Sequence, residues 1–432
     1  MQRIFRLGVV LLVVAVFPAA ARAGWWRDLD TAKRGLTRAT AIGWITPDEA
    51  ADYRAILARA TSTWRRLPGS RSTNLAAVLH DVALQSQSYI EPRALTLFTM
   101  LDTNTTYLGS DAMPAAGKDV LDDDGVVYRS LPGQGLQFHP LGNFARLNSL
   151  LARGDDTDAG FLASALLDRA IPRSGKLLWE YYFPFGRGSP PWTSGMVQAV
   201  AARAFAGLDY MPEARKAFLA VYGLNFPLSA GPWVRLYSFA NEAVLNAQLQ
   251  TALSLSIYGR LSGDAEATAI SGQMLQAASA LFPRFDTGAW SLYELGGSES
   301  SLHYHVYVVS LLQRIAAATQ DPLWQERAER FDAYTKEPPA LSLRPLRAAV
   351  RRTARISFWL SKISRVTVTI AGGTSSFTLP RGFHSVYWSA LGRRSGRYVA
   401  RVSAVDLAGN RAVKKLRFVV RRRAVRRPSA LR

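Results

Sequence analysis

The feature that most constrains this chain is a change of pattern at Glu337-Pro338-Pro339. Upstream, apolar residues recur about every 3.6 positions, the mark of helices with one buried face. Downstream, short runs rich in β-branched and aromatic residues are separated by Gly and Pro, which marks strands. The break predicts a mainly α body over 24–337 followed by a small β-sandwich over 345–421 and a basic tail over 422–432. Charge breaks at the same place. Residues 341–432 hold 22 Lys plus Arg against one acid, Asp406; removing these from the chain's 53 bases and 32 acids leaves 31 of each in residues 1–340. The body is neutral and the C-terminal part carries the whole net charge of +21.

The N-terminus has Arg3 and Arg6, an apolar run from Leu7 to Phe17, and Ala21-Arg22-Ala23, which together read as a signal peptide over 1–23 cleaved after Ala23. The apolar run is shorter than the roughly 20 residues a spanning helix needs. The expectation is a secreted or extracytoplasmic protein. There is no cysteine, so stability must come from core burial, which a chain of 432 residues can supply.

In the body, Thr46-Pro47-Asp48-Glu49 predicts a capped helix start. Helical patterns continue near 75–84 and 94–101 and, after the interruption at 111–135, over 143–151 and 158–171. The acidic triplet Asp122-Asp123-Asp124 lacks the alternation of a calcium loop and reads as a solvated turn. Further on, patterns pair up over 193–207, 212–222, 242–261, 264–281, 306–319 and 322–334, with Asp264 and Asp321 as caps. Periodicity gives helical hairpins.

Polar loops interrupt these hairpins. The richest, from Leu281 to Tyr307, brings together Arg284, Asp286, Tyr293, Glu294, Glu299, His303, Tyr304 and His305. Pro283 should end the helix before it, Asp286-Thr287-Gly288 is turn chemistry, and Gly296-Gly297 permits positive φ. So many titratable groups on one loop over a helical scaffold point to a site. A second loop, from Phe185 to Trp192, flanks Arg187 with two glycines, which suits either close approach to a carboxylate or a plain helix-entry turn. No Lys-Ser or Lys-Thr follows, so it is not a phosphate loop. A third loop runs from Gly231 through Arg235 and Leu236 to Tyr237.

The ordered series Phe282-Pro283-Arg284-Phe285-Asp286-Thr287-Gly288, Ser291-Leu292-Tyr293-Glu294-Leu295 and Tyr304-His305 resembles the C-terminal domain of D-glucuronyl C5-epimerases. So do Trp192-Thr193-Ser194-Gly195-Met196-Val197-Gln198 and Val244-Leu245-Asn246-Ala247, and the resemblance covers about 137–334. It implies an α/α toroid built from the helical hairpins. It also implies conversion of D-glucuronate to L-iduronate within heparan-type polymers, with catalytic tyrosines at Tyr237, Tyr293 and Tyr304. The sequence departs from the family at Leu236, which stands where a glutamate is usual. In the C-terminal part, Gly396-Arg397-Tyr398 and Ala404-Val405-Asp406-Leu407-Ala408-Gly409-Asn410 resemble the last strands of immunoglobulin-like or fibronectin-like modules of secreted bacterial proteins.

On that resemblance Tyr293 and Tyr304 are the two-face acid–base pair, Tyr237 is an auxiliary donor, and one of Arg187, Arg235 and Arg284 clamps the carboxylate. Trp192, Glu294, His303 and His305 complete the candidate substrate contacts, and neither metal nor cofactor is called for. Two other readings stay open: a polysaccharide lyase, which shares the proton abstraction and then expels the C4 oxygen, and a non-catalytic glycan-binding surface protein. The expected partner is an acidic, uronate-containing polysaccharide. The basic module fits an anionic cell envelope or the polymer itself. Export makes nucleic acid the poorest fit, and a homodimer is left open.

Overall fold

The computed structural model describes residues 21–346 and 348–421. The expected leader, apart from residues 21–23, and the basic tail over 422–432 lie outside the described residues. The chain folds as two units. Of the described residues, the first takes those up to Ala243 together with Ala247–Ser279; the second takes Val244–Asn246 and those from Ala280 on.

The first unit opens with α1 (Ala21–Ala41), α2 (Pro47–Arg66), α3 (Gly69–Leu84) and α4 (Glu91–Ser110). The predicted start of α2 is a complete capping box: Thr46 Oγ1 accepts from the Glu49 N–H at 3.2 Å, and Glu49 Oε2 from the Thr46 N–H at 2.6 Å. Next comes an antiparallel meander of β1 (Asp119–Leu121), β2 (Val127–Leu131) and β3 (Gly135–Phe138), where the sequence offers turn residues and little else. Every residue of β2 and β3 is buried, so the alternation that betrays a half-exposed strand is missing. Asn104 of α4 acts as an extra strand, its Nδ2 donating to Leu136 O at 2.7 Å and its Oδ1 accepting from Leu136 N at 2.8 Å. Asp122 is less solvated than its acidic neighbours: it is half-buried and accepts from Val126 N at 2.8 Å and from the Tyr128 hydroxyl at 3.1 Å.

Helices α5 (Pro140–Leu151) and α6 (Asp156–Leu167) follow, then the hairpin β4 (Ile171–Arg173) and β5 (Lys176–Leu178). The helix expected over 158–171 stops at Leu167 because Ile171 enters β4, whose turn needs positive φ at Ser174 and Gly175. The unit is completed by α7 (Gly195–Ala206), α8 (Met211–Tyr222), the hairpin β6 (Asn225–Leu228) and β7 (Gly231–Val234), and most of α9 (Leu245–Ser262) and α10 (Ala265–Leu281). Asp264 caps α10 as expected, accepting from Ala267 N at 3.0 Å. Gln248 of α9 holds the β6–β7 hairpin in place, accepting from Val234 N at 2.9 Å and donating to Met274 O at 3.0 Å.

In the second unit a 3₁₀ turn (Phe282–Arg284) leads through the polar loop into α11 (Leu302–Thr319) and α12 (Pro322–Tyr334). Seven strands follow: β8 (Leu341–Leu343), β9 (Thr353–Leu360), β10 (Ser364–Ile370), β11 (Gly373–Leu379), β12 (Gly382–Ser389), β13 (Gly396–Asp406) and β14 (Arg411–Val420). One sheet has the order β12-β9-β8 and the other β11-β10-β13-β14. Alternate residues of both, among them Ile356, Phe358, Val366, Val368, Val402 and Phe418, interlock in one core. Full burial of side chains of this size contributes about 1.5–3 kcal/mol each. The β-type runs in the sequence at 367–370, 376–379, 385–388, 398–404 and 416–420 fall in β10 to β14, while β8 and β9 are not marked by such runs. The compositional break at Pro338 does not coincide with the division of the fold, because the α11–α12 hairpin belongs to the same unit as the sandwich.

Candidate active site

The polar loop of the second unit is a small hairpin fixed by its own backbone. Leu292 N donates to Phe285 O at 2.7 Å, Tyr293 N to Ser298 O at 2.9 Å and Ser300 N to Ser291 O at 2.9 Å, with an antiparallel bridge between Leu292 and Glu299. Gly296 turns it with φ of +76°. Gly297 is constrained differently: a Cβ there would lie 2.2 Å from Glu294 Cγ, so the Glu294 side chain, which folds back over the turn, would have to move. Asp286 is structural as well. It accepts from Gly288 N at 2.7 Å and from the Tyr334 hydroxyl at 3.0 Å, and pairs with Arg330 Nε at 2.8 Å.

This hairpin and the start of α11 bring Tyr293 and Tyr304 together. Their ring centroids are 4.9 Å apart and the planes are inclined by 56°. Both residues are half-buried, so they are held by packing yet open to solvent on one side. Ser301 caps α11, accepting from Tyr304 N at 3.3 Å, and this fixes the backbone from which the second ring projects. His303 is half-buried beside it, its ring 5.7 Å from that of Tyr304.

His305 has a different place from its neighbours. It is fully buried, stacked on Trp290 at 3.9 Å and 11°. Its Nε2 donates to Phe331 O at 2.8 Å, while Nδ1 accepts from the Ser291 N–H at 3.2 Å and lies 2.7 Å from Ser291 Oγ. Both nitrogens are satisfied in the neutral ring, and burial pushes its pKa down to about 4. A ring so enclosed holds the hairpin to α11 and has no face left for a substrate.

The remaining candidates divide between the units. Arg284 is exposed at the end of the 3₁₀ turn of the second unit. Glu294, half-buried, forms a bridge with Val244, and this pairing starts α9 three residues later than its sequence pattern implies. In the first unit Tyr237 is buried among Phe185, Trp192 and Phe239, with ring centroids at 5.0, 5.8 and 5.6 Å. Trp192 stacks on Tyr181 at 4.0 Å and is also buried. Arg187 is exposed at the apex of a tight turn closed by the Phe185–Gly188 bridge. Arg235 is occupied by its own surroundings, donating from Nε to Asn241 Oδ1 at 2.7 Å and from an Nη to Asn225 O at 2.8 Å.

Two supporting residues carry no mark in the sequence as to what they hold. Glu299 accepts from two backbone N–H groups of the sandwich, and Lys362 is buried against the end of α12. Neither sits in a recognisable motif; their partners are more than sixty and more than twenty residues away.

A scan against protein families bears on the same segment. Residues 174–333 match the family model of the D-glucuronyl C5-epimerase C-terminus. The span is 160 of the 432 residues and contains Tyr237, Tyr293 and Tyr304. No curated protein matches the chain. The matched domain supports a uronate epimerase activity and, in class, an isomerase.

Proposed function

We propose that this chain is an exported uronate C5-epimerase acting on hexuronate residues within a polysaccharide. The observation that carries the reading is the convergence of the Tyr293 and Tyr304 rings at 4.9 Å inside the segment that matches the epimerase family. Hydrogen on C5 lies α to a carboxylate. One tyrosine, ionised, takes that proton; the C5–H electron pair moves into the C5–C6 bond and the carboxylate becomes an enediolate. The other tyrosine then donates its hydroxyl proton to the opposite face of C5, which restores the carboxylate with inverted configuration. Tyrosine has a pKa of about 10, so a nearby cation is needed to hold one of the pair ionised. Arg284 is the exposed arginine next to the hairpin in sequence and is assigned to the carboxylate. Glu294 and His303, which flank the two tyrosines, are assigned to neighbouring hydroxyls.

The helical hairpins are proposed to be arranged as an α/α toroid, and residues 1–23 to direct export with cleavage after Ala23. The sandwich is proposed to be of the immunoglobulin or fibronectin kind. Its three-plus-four strands support this, as does the Tyr398 hydroxyl, which donates to Arg394 O at 2.9 Å at the start of β13 in the manner of a tyrosine corner. Its partner is proposed to be a polyanion, the uronate polymer or an anionic envelope. The outer face of the four-stranded sheet supports that: Arg401 stands directly opposite Lys415, and Arg365, Arg397 and Arg417 are exposed on the same face. Like charges directly opposed across strands are destabilising unless an anion lies over them.

Product analysis tests the activity. Incubation with a heparan-type glucuronate polymer should give L-iduronate in chains of unchanged length. Unsaturated chain ends would make the protein a lyase, and unaltered polymer with retained binding would make it a glycan-binding protein.

A further inference from the structure

The basic module reads in the sequence as an attachment device, yet within the second unit it grips the tyrosine hairpin at several points. Both carboxylate oxygens of Glu299 accept backbone N–H groups of the sandwich: Oε1 from Ile363 at 2.9 Å, in the β9–β10 turn, and Oε2 from Arg381 at 2.8 Å, in the β11–β12 turn. Glu299 is the residue that bridges to Leu292, next to Tyr293. Side chains of neighbouring strand residues point to opposite faces. The face carrying Glu299 is therefore fastened to the sandwich, and Tyr293 is presented on the other.

A second fastening lies beneath the first. The side chain of Lys362, 2 % exposed, donates to Tyr334 O and to Glu337 O, both at 2.6 Å, and pairs with Asp406 at 2.9 Å. Its Nζ also lies 5.4 Å from the Trp290 ring, and Trp290 donates from Nε1 to Ser300 O of the hairpin at 2.8 Å. Asn410 adds a bond from Nδ2 to Thr335 O at 2.7 Å. A buried ammonium with three oxygen partners is costly to form piecemeal, so these contacts assemble together.

We propose that the β-sandwich is the brace of the tyrosine hairpin and that Glu299 is the positioning residue that holds Tyr293 against Tyr304. The link to turnover rests on the epimerase reading; the brace itself does not. The test uses the full chain with Glu299→Ala and Glu299→Gln, checked for a wild-type far-ultraviolet spectrum. Two quantities are measured: amide hydrogen exchange over residues 291–301 by mass spectrometry, and kcat and KM on a heparan-type glucuronate polymer. Glu299→Ala should raise exchange of that segment by about tenfold or more and lower kcat by roughly 10- to 100-fold with KM near wild type, the cost of a small misplacement of a reacting group. Glu299→Gln keeps one acceptor oxygen and should fall between, which preserves the test if the alanine variant does not fold. Exchange unchanged over 291–301 in the folded variants would overturn the brace, and raised exchange with wild-type kcat would overturn the positioning role. If the wild-type protein does not turn over the polymer, the epimerase reading fails and the exchange measurement alone decides the brace.

Discussion

Ser291 Oγ lies 2.7 Å from Nδ1 of His305, and this contact ties the strand leading into Tyr293 to the helix that carries Tyr304. The two tyrosines meet because residues next to them are locked together in the core. Trp290 stacks on the imidazole and Phe331 accepts from its far nitrogen, so the pair is built on a buried, neutral histidine.

That histidine makes the second unit sensitive to acid. With a pKa of about 4 in the fold against about 6.5 unfolded, the unfolded chain binds more protons between these values. His305 therefore contributes stability that is full above about pH 6.5 and lost as pH falls toward 4, on the order of 3 kcal/mol in all. Thermal melts from pH 7 to pH 4.5 should show a fall in Tm that is shallower in His305→Gln. Parallel slopes in the two proteins would remove His305 from the acid response.

The hairpin tip offers a packing test. In Gly297→Ala the new methyl group meets the Glu294 side chain, and such overpacking typically costs about 1–3 kcal/mol. Glu294→Ala removes the obstacle. The double variant should be more stable than Gly297→Ala alone, and denaturant melts of the four proteins measure the coupling. Additive effects would mean that the two side chains do not meet.

The cationic sheet face predicts a salt-dependent association. Arg401→Glu combined with Lys415→Glu should elute from an anionic polysaccharide matrix at lower salt than wild type, because exposed charge pairs are screened. Turnover of short soluble oligosaccharides should be unchanged. Retention equal to wild type would show that this face does not carry the attachment.

Much of this was legible in the sequence, for identifiable reasons. Thr46, Asp264 and Asp321 announce their helices because caps act within one turn, and the strands near Val366 and Val402 announce themselves because one face is wet. Strands β2 and β3 do not, since burial on both faces removes their alternation. The loop from Leu281 to Tyr307 stands out by its density of polar groups. What stays hidden within it is division of labour: His305 and Tyr304 are adjacent in sequence, yet helical geometry sends one ring into the core and leaves the other at the surface. Glu299 stands among the loop's polar residues, but its anchoring role and that of Lys362 were beyond reach, because their partners are set by how a sandwich and a hairpin dock.

The central claim is that Tyr293 and Tyr304 serve opposite faces of C5. It is tested most directly by turnover in heavy water, with deuterium at C5 read by NMR for each epimer separately. The wild-type protein should label C5 of both glucuronate and iduronate residues in intact chains. Tyr293→Phe and Tyr304→Phe each lose only a hydroxyl, so both should bind polymer normally while net epimerisation falls by about 10²- to 10⁴-fold. Each should retain exchange at C5 of one epimer, and the two variants should retain opposite ones. Net epimerisation near the wild-type rate in either variant, or retention of the same epimer in both, would contradict the assignment.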